Sequence, residues 1–140
     1  MKTRRILLVE DHEPDAKLVL RVLKRLGSPV EVDRVSDGVE ALLYLRQVEP
    51  YETAKRPDLI LLDLNLPKFS GFEVLEWVKE NEKLRTIPVV VLTGSEAQSD
   101  VQRAFSLHCN AYIIKPGSPH KFHLFAETLE NFWFVLGRLP

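Results

Sequence analysis

Apolar and polar positions follow two alternating rhythms along the chain. Short unbroken apolar runs occur in "RILLVED" (5–11), "DLILLD" (58–63), "IPVVVLTG" (87–94) and "AYIIKP" (111–116), as in strands buried on both faces. The segment "VEVDRVS" (30–36) alternates residue by residue, as a more peripheral strand does. Between these runs the spacing changes to three and four. Pro14 opens a helix with Ala16, Val19, Leu20, Leu23 and Leu26 on one face, and Gly27 supplies a stop. Asp37-Gly38 leads into a second helix carrying Val39, Leu42, Leu43 and Leu45. A third, roughly 70–82, turns Phe72, Leu75 and Val78 inward, and a fourth, about 96–108, turns Ala97, Val101, Ala104 and Phe105 inward. The last, about 119–136, repeats Phe122, Phe125, Leu129, Phe132 and Leu136 at helical spacing. The stretch "QVEPYETAKRP" (47–57) reads as a polar loop.

Five strands alternating with five helices predict an α/β domain with a parallel sheet covered on both faces. Right-handed crossovers leave few topologies, and the leading one is a doubly wound, flavodoxin-like sheet of order 2-1-3-4-5. Such sheets place their sites beyond the carboxyl ends of the strands, at the switch point beside the first strand.

Composition narrows the options. A chain of 140 residues, 45% hydrophobic, is expected to form one domain over 1–140, with no room for a separate output domain. Lys and Arg number 19 against 20 Asp and Glu, a formal net charge of -1, so no nucleic-acid footprint or polybasic membrane patch is expected. The N-terminal apolar run is too short for a signal peptide core or a membrane span. The lone thiol of Cys109 fits a cytoplasmic setting.

The chemistry lies at the strand ends. The first strand ends in Glu10-Asp11, the third in Asp63, the fourth in Thr93 and the fifth in Lys115. In the order 2-1-3-4-5 these groups converge on one edge. Carboxylates placed together repel one another unless a cation enters. A hard divalent ion with oxygen ligands meets that need, Mg²⁺ first and Mn²⁺ as an alternative. The backbone carbonyl of Asn65 is a further candidate ligand. A metal, a lysine, a hydroxyl and an aspartate suit phosphoryl transfer, with Asp63 as the nucleophile that forms an aspartyl-phosphate.

The ordered set "VED" (9–11), "LLDLNLPKFSG" (61–71), "VVVLTGS" (89–95) and "YIIKP" (112–116) resembles the receiver domain of two-component response regulators. That resemblance implies a phosphoryl group passed to Asp63 from a phosphohistidine on a sensor histidine kinase. It implies Mg²⁺ held by Glu10, Asp11, Asp63 and the Asn65 carbonyl, with Thr93 and Lys115 binding phosphoryl oxygens. It makes Thr93 and Tyr112 the switch pair and Lys115–Pro116 a cis peptide. The 47–57 loop, "LNLPK" and "ENFWFVLGRLP" look like the small stand-alone regulators that pair with cyanobacterial phytochromes. A red/far-red-sensing kinase is the implied donor, and a downstream protein, unidentified by the sequence, is the implied receiver of the signal.

The C-terminal aromatics exceed what one buried stripe requires. Phe132, Trp133, Phe134 and Leu136 widen the apolar face of the last helix, which is expected to reach about 137 and to form a homodimer interface. His120 and His123 read as a solvated helix start rather than a metal or phosphotransfer site, and Trp77 as a half-buried helix residue. Three other readings compete. An aspartyl-nucleophile phosphatase expects a second aspartate where Asn65 stands. A scaffold without phosphorylation would keep the fold and not the chemistry. A flavin mononucleotide carrier would bring its phosphate against the strand-end acids.

Overall fold

The apolar runs become strands because each alternates its side chains between two covered faces. The computed structural model describes residues 3–25 and 29–115, together with Leu124, Glu127, Thr128 and Asn131. Its strands are β1 (Arg4–Val9), β2 (Val30–Val35), β3 (Leu59–Leu62), β4 (Val89–Thr93) and β5 (Ala111–Ile114). All pair in parallel in the expected order β2-β1-β3-β4-β5. Among the described residues there are four helices rather than five: α1 (Glu13–Lys24), α2 (Gly38–Arg46), α3 (Gly71–Glu80) and α4 (Gln98–Ser106). The expected last helix falls largely outside the described residues, although Leu124, Glu127, Thr128 and Asn131 have helical backbone.

The period of two splits the core in half. Leu7, Val9, Ile60, Leu62, Val89 and Val91 face the side covered by α2, α3 and α4. Ile6, Leu8, Leu59, Leu61, Val90 and Leu92 face the side of α1, where Ala16, Val19, Val22 and Leu23 pack. β2 is more exposed than its neighbours along Glu31 to Arg34, which is why its sequence alternates.

All four described helix faces differ from the sequence expectation. In α2 the inward residues are Ala41, Tyr44 and Leu45, while Val39 is exposed and Leu42 and Leu43 are half-buried. Tyr44 is drawn in because its hydroxyl finds Asp33 Oδ2 at 2.5 Å, so burial leaves no orphaned donor. In α4 only Ala104 is buried; Ala97 is an exposed N-cap and Phe105 is 49% exposed. In α1 and α3 the inward faces are wider than expected, adding Val22 and Val74.

Local sequence sets where the helices start. Asp37 Oδ1 accepts from the Glu40 amide at 2.8 Å and begins α2. Ser70 and Glu73 form a reciprocal capping box that begins α3. The loop between β3 and α3 is pinned at two glycines. A Cβ on Gly71 would lie 2.1 Å from the Asp63 carbonyl oxygen, and one on Gly38 would lie 2.0 Å from that of Phe69. Both walls are backbone, so neither can yield without moving the loop. Gly71→Ala is therefore expected to destabilise the fold by roughly 2 kcal/mol or more. Urea unfolding of the variant checks this, and an unchanged midpoint would contradict the tight packing.

Candidate functional site

Parallel register carries the strand-end residues together. Val9 lies opposite Leu62, so Glu10 follows β1 just where Asp63 follows β3, and the Asp63 amide donates to the Val9 carbonyl at 3.1 Å. Thr93 closes β4 opposite Ile114, and the Lys115 amide donates to the Thr93 carbonyl at 2.8 Å. The Lys115 ammonium then reaches back across the sheet edge. Its Nζ lies 2.5 Å from Glu10 Oε1, 2.9 Å from Asp15 Oδ2 and 3.1 Å from Asp63 Oδ2. Carboxylate oxygens of Glu10, Asp11 and Asp63 lie within 4.8 Å of one another.

The acids sit in unequal surroundings. Glu10 and Asp63 are buried, at 1% and 5% exposed, whereas Asp11 is exposed. Two buried carboxylates this close repel by roughly 3–4 kcal/mol at an effective dielectric of about 20. One ammonium shared among three acids offsets only part of that. Burial, and then the proximity of Asp63, push the Glu10 carboxyl up to about 7, and Lys115 pulls it back only in part. For Lys115 the balance runs the other way. Burial would lower its pKa, but bonds to Glu10 and Asp15 and the charge of Asp63 raise it well above the ordinary lysine value.

A divalent cation fits this donor set. Glu10 Oε1 is buried, and its close partner is the Lys115 ammonium at 2.5 Å, which Asp15 and Asp63 share. Its other oxygen accepts from the His12 amide at 3.3 Å, which aims the carboxylate. Clustered carboxylates served by one ammonium leave negative charge that a bound hard cation balances. Glu10, Asp11 and Asp63 are thus the residues that could hold it.

The other expected residues fall in place to different degrees. The Asn65 amide donates to Asp63 Oδ1 at 3.2 Å, a turn that orients the aspartate. Thr93 is fully buried, and its hydroxyl accepts from the Ser95 amide at 3.4 Å; among the described residues it makes no bond to the acids. Tyr112 is half-buried, with its hydroxyl donating to the Ser95 carbonyl at 2.9 Å. Thr93 and Tyr112 thereby meet at the same Ser95 turn. Pro116, His120, His123, Phe132, Trp133, Phe134 and Leu136 lie outside the described residues. The cis peptide found among the described residues is Glu49–Pro50.

Sequence reasoning missed Asp15. It sits in the first turn of α1, where an acid also favours the helix N-terminus, and that ordinary role hid its contact with Lys115. His12 Nδ1 lies 3.1 Å from the same carboxylate. Arg34 was missed too. Its Nε donates to the Glu10 carbonyl at 3.0 Å and its Nη1 to Glu13 Oε2 at 2.5 Å, tying the β1–α1 turn to β2.

Proton and metal compete for Glu10. Because its folded pKa of about 7 lies above the ordinary 4.5, the stability this group contributes is fully present below pH 4.5 and lost as pH rises through 7. A bound cation requires the carboxylate. Apparent Mg²⁺ affinity, measured by calorimetry, should therefore climb by up to about tenfold per pH unit below 7 and level off above it. Affinity that is flat from pH 6 to 8 would contradict the shift.

Comparison with known proteins places this geometry. Residues 6–127 match the family described as the response regulator receiver domain. Response regulator Rcp1 of Synechocystis is 44% identical over 135 residues, spanning 96% of this chain and 92% of that protein. The crystal structure of its Mn²⁺-bound form aligns with a TM-score of 0.90 at 42% identity, over 98% of this chain and 97% of that one. The phosphorylated cyanobacterial phytochrome response regulator RcpA aligns with a TM-score of 0.91 at 43% identity, over 99% of both chains. A relative in Methanothrix harundinacea, the probable methanogenesis regulatory protein FilR2, is also 44% identical over 135 residues, spanning 96% of this chain and 86% of that protein. Sheet order, clustered acids, reaching lysine and these likenesses agree: the chain belongs to the response regulator receiver domain family.

Proposed function

We propose that Asp63 accepts a phosphoryl group from a phosphohistidine of a sensor histidine kinase. The single observation that carries this reading is the Lys115 ammonium held between Glu10 and Asp63 at the strand ends. An Asp63 oxygen attacks phosphorus, the bond from phosphorus to the donor's ring nitrogen breaks, and that nitrogen keeps the electron pair. Mg²⁺, held by Glu10, Asp11, Asp63 and the Asn65 carbonyl, would neutralise charge on the transferring group. Lys115 stays within reach of the acquired oxygens, and Asp15 holds it there. Positioning and charge neutralisation supply nearly all of the catalysis in such a transfer. The protein is thus a phosphoacceptor that assists its own phosphorylation and dephosphorylation, not an enzyme acting on a second substrate.

The new phosphoryl adds about −1.5 to −2 charge. Thr93 turns its hydroxyl toward that group and leaves the Ser95 turn. Tyr112, bonded to Ser95, follows, and the surface around α4 and β5 changes its preferred partner. The signal then passes by protein contact to a downstream protein.

Three further assignments belong to the same proposal. The name and likeness of RcpA support a phytochrome as the kinase, and the lone thiol of Cys109 fits a cytoplasmic setting. Helical backbone at Leu124, Glu127, Thr128 and Asn131 supports a fifth helix over about 119–136. A homodimer through that helix, with Phe132, Trp133, Phe134 and Leu136, is supported by exposed apolar side chains among the described residues: Phe105 at 49%, Ile114 at 42% and Leu124 at 58%.

One experiment tests the reading. The protein is incubated with acetyl phosphate and Mg²⁺, and the same samples are weighed by mass spectrometry and sedimented. An acid-labile phosphoryl adduct is expected, absent in Asp63→Ala and formed about 10²-fold more slowly in Asp11→Asn. A dimer is expected to persist in Asp63→Ala and to be lost in Trp133→Glu. An adduct that survives Asp63→Ala would sink the site assignment, and a monomer throughout would sink the dimer.

A further inference from the structure

We propose that a second site, on the far rim of the sheet from Asp63, binds a small anion bearing a planar ring, of nucleotide size. A cavity of about 370 Å³ lies where the C-terminal ends of α2 and α3 meet the segment leading into β3. Eleven residues line it; four are basic, namely Arg46, Lys55, Arg56 and Lys83, and none is acidic. In a chain of net charge -1 this is a strong local excess of positive charge. Pro57 is in the wall and Asp63 follows β3, so the two sites are separated by roughly 20 Å at about 3.3 Å per strand residue.

The basic groups are not all committed to the fold. Arg56 is; its guanidinium donates to the Lys83 carbonyl and, at 2.9 Å, to Thr86 Oγ1, which fixes one wall. The side chains of Arg46, Lys55 and Lys83 have no ion pair with a described carboxylate. The plain alternative is that they complement the helix C-termini, each worth about half a negative charge. That demand is already reduced. The amides of Gln47 and Val48 cap the Tyr44 and Leu43 carbonyls of α2, and the Asn81 amide caps Val78 of α3. Two half charges, partly capped, do not use the three remaining cations.

The remaining lining sets the chemical class. Trp77 is half-buried, packs in part against the core, and lines the same cavity as Tyr44 and the four cations. An indole and guanidinium groups suit a planar ring and its phosphates together. The volume sits at the low end of the range for small-molecule sites, about 300–1,000 Å³. An acidic peptide would instead call for a stripe of charge along an open groove, and here the cations ring one concavity.

The test is a titration of the full chain in EDTA, so that no nucleotide is drawn to the strand-end acids through a metal. The probes are ADP, adenosine and inorganic pyrophosphate, followed by nitrogen–proton NMR. ADP should shift the Trp77 indole and the amides of residues 46–47 and 81–84 saturably. Adenosine and pyrophosphate should each bind at least about tenfold more weakly than ADP, because each lacks one half of the recognition. Lys55→Ala combined with Lys83→Ala should weaken ADP at least about tenfold while leaving Asp63 phosphorylation unchanged. Pyrophosphate binding as tightly as ADP, no saturable shift at Trp77, or shifts confined to Glu10, Asp11 and Asp63 would overturn the proposal. So would a polyglutamate peptide that binds the same residues more tightly than ADP.

Discussion

The Lys115 ammonium, set among Glu10, Asp15 and Asp63, is the interaction on which the rest of the molecule's purpose depends. Without a positive charge at that edge, two buried carboxylates would face each other across β1 and β3. With it, the cluster folds but remains short of positive charge, and Glu10 makes up the difference by holding a proton near neutral pH. A site in this condition could hold a divalent cation, which would balance the charge that one ammonium leaves. Metal affinity here would follow from an incomplete charge balance, not from a rigid cage.

The fold maintains that balance by backbone means. Register between β1 and β3 sets Glu10 beside Asp63, and the β4–β5 register brings Lys115 to the same level. The loop from Asp63 to Ser70 is held at both ends: the Gly71 amide bonds the Leu64 carbonyl at 3.0 Å, and Phe69 packs on Gly38. Lys68 within it adopts a left-handed conformation, φ 68°, and its ammonium lies 3.6 Å from Asp37 Oδ2. By contrast α4 is lightly attached. It buries Ala104 alone, and Arg103 rests over the Phe72 ring at 4.1 Å. A closely packed loop beside a helix that buries one residue would suit a protein whose output is a change of surface.

How much of this was legible in the sequence differs by feature. The strand-end carboxylates stood out because each interrupts an apolar run at the point where a parallel sheet must end, and the sheet order then brings them together. The rival phosphatase reading expects a second aspartate where Asn65 stands, and the Asn65 backbone amide bonds Asp63 whichever side chain it carries. Helix faces were harder. Val39 and Phe105 look like core residues by periodicity, yet the inward turns are taken by Ala41, Tyr44 and Ala104, because close packing on the sheet favours small side chains and a tyrosine with a partner at Asp33. Asp15 was hidden by its plausible role as a helix-start acid. The basic cavity was invisible because Arg46, Lys55, Arg56 and Lys83 come from three separate segments, each ordinary alone.

The most direct measurement is the stability of Lys115→Met, with and without Mg²⁺, by denaturant unfolding. In EDTA the variant should lose roughly 3 kcal/mol or more, since removal of one partner strands buried carboxylates. Adding Glu10→Gln to it should recover much of the loss, and saturating Mg²⁺ should do the same without the second substitution. A Lys115→Met protein as stable as the parent in EDTA, or one indifferent to both rescues, would contradict the account.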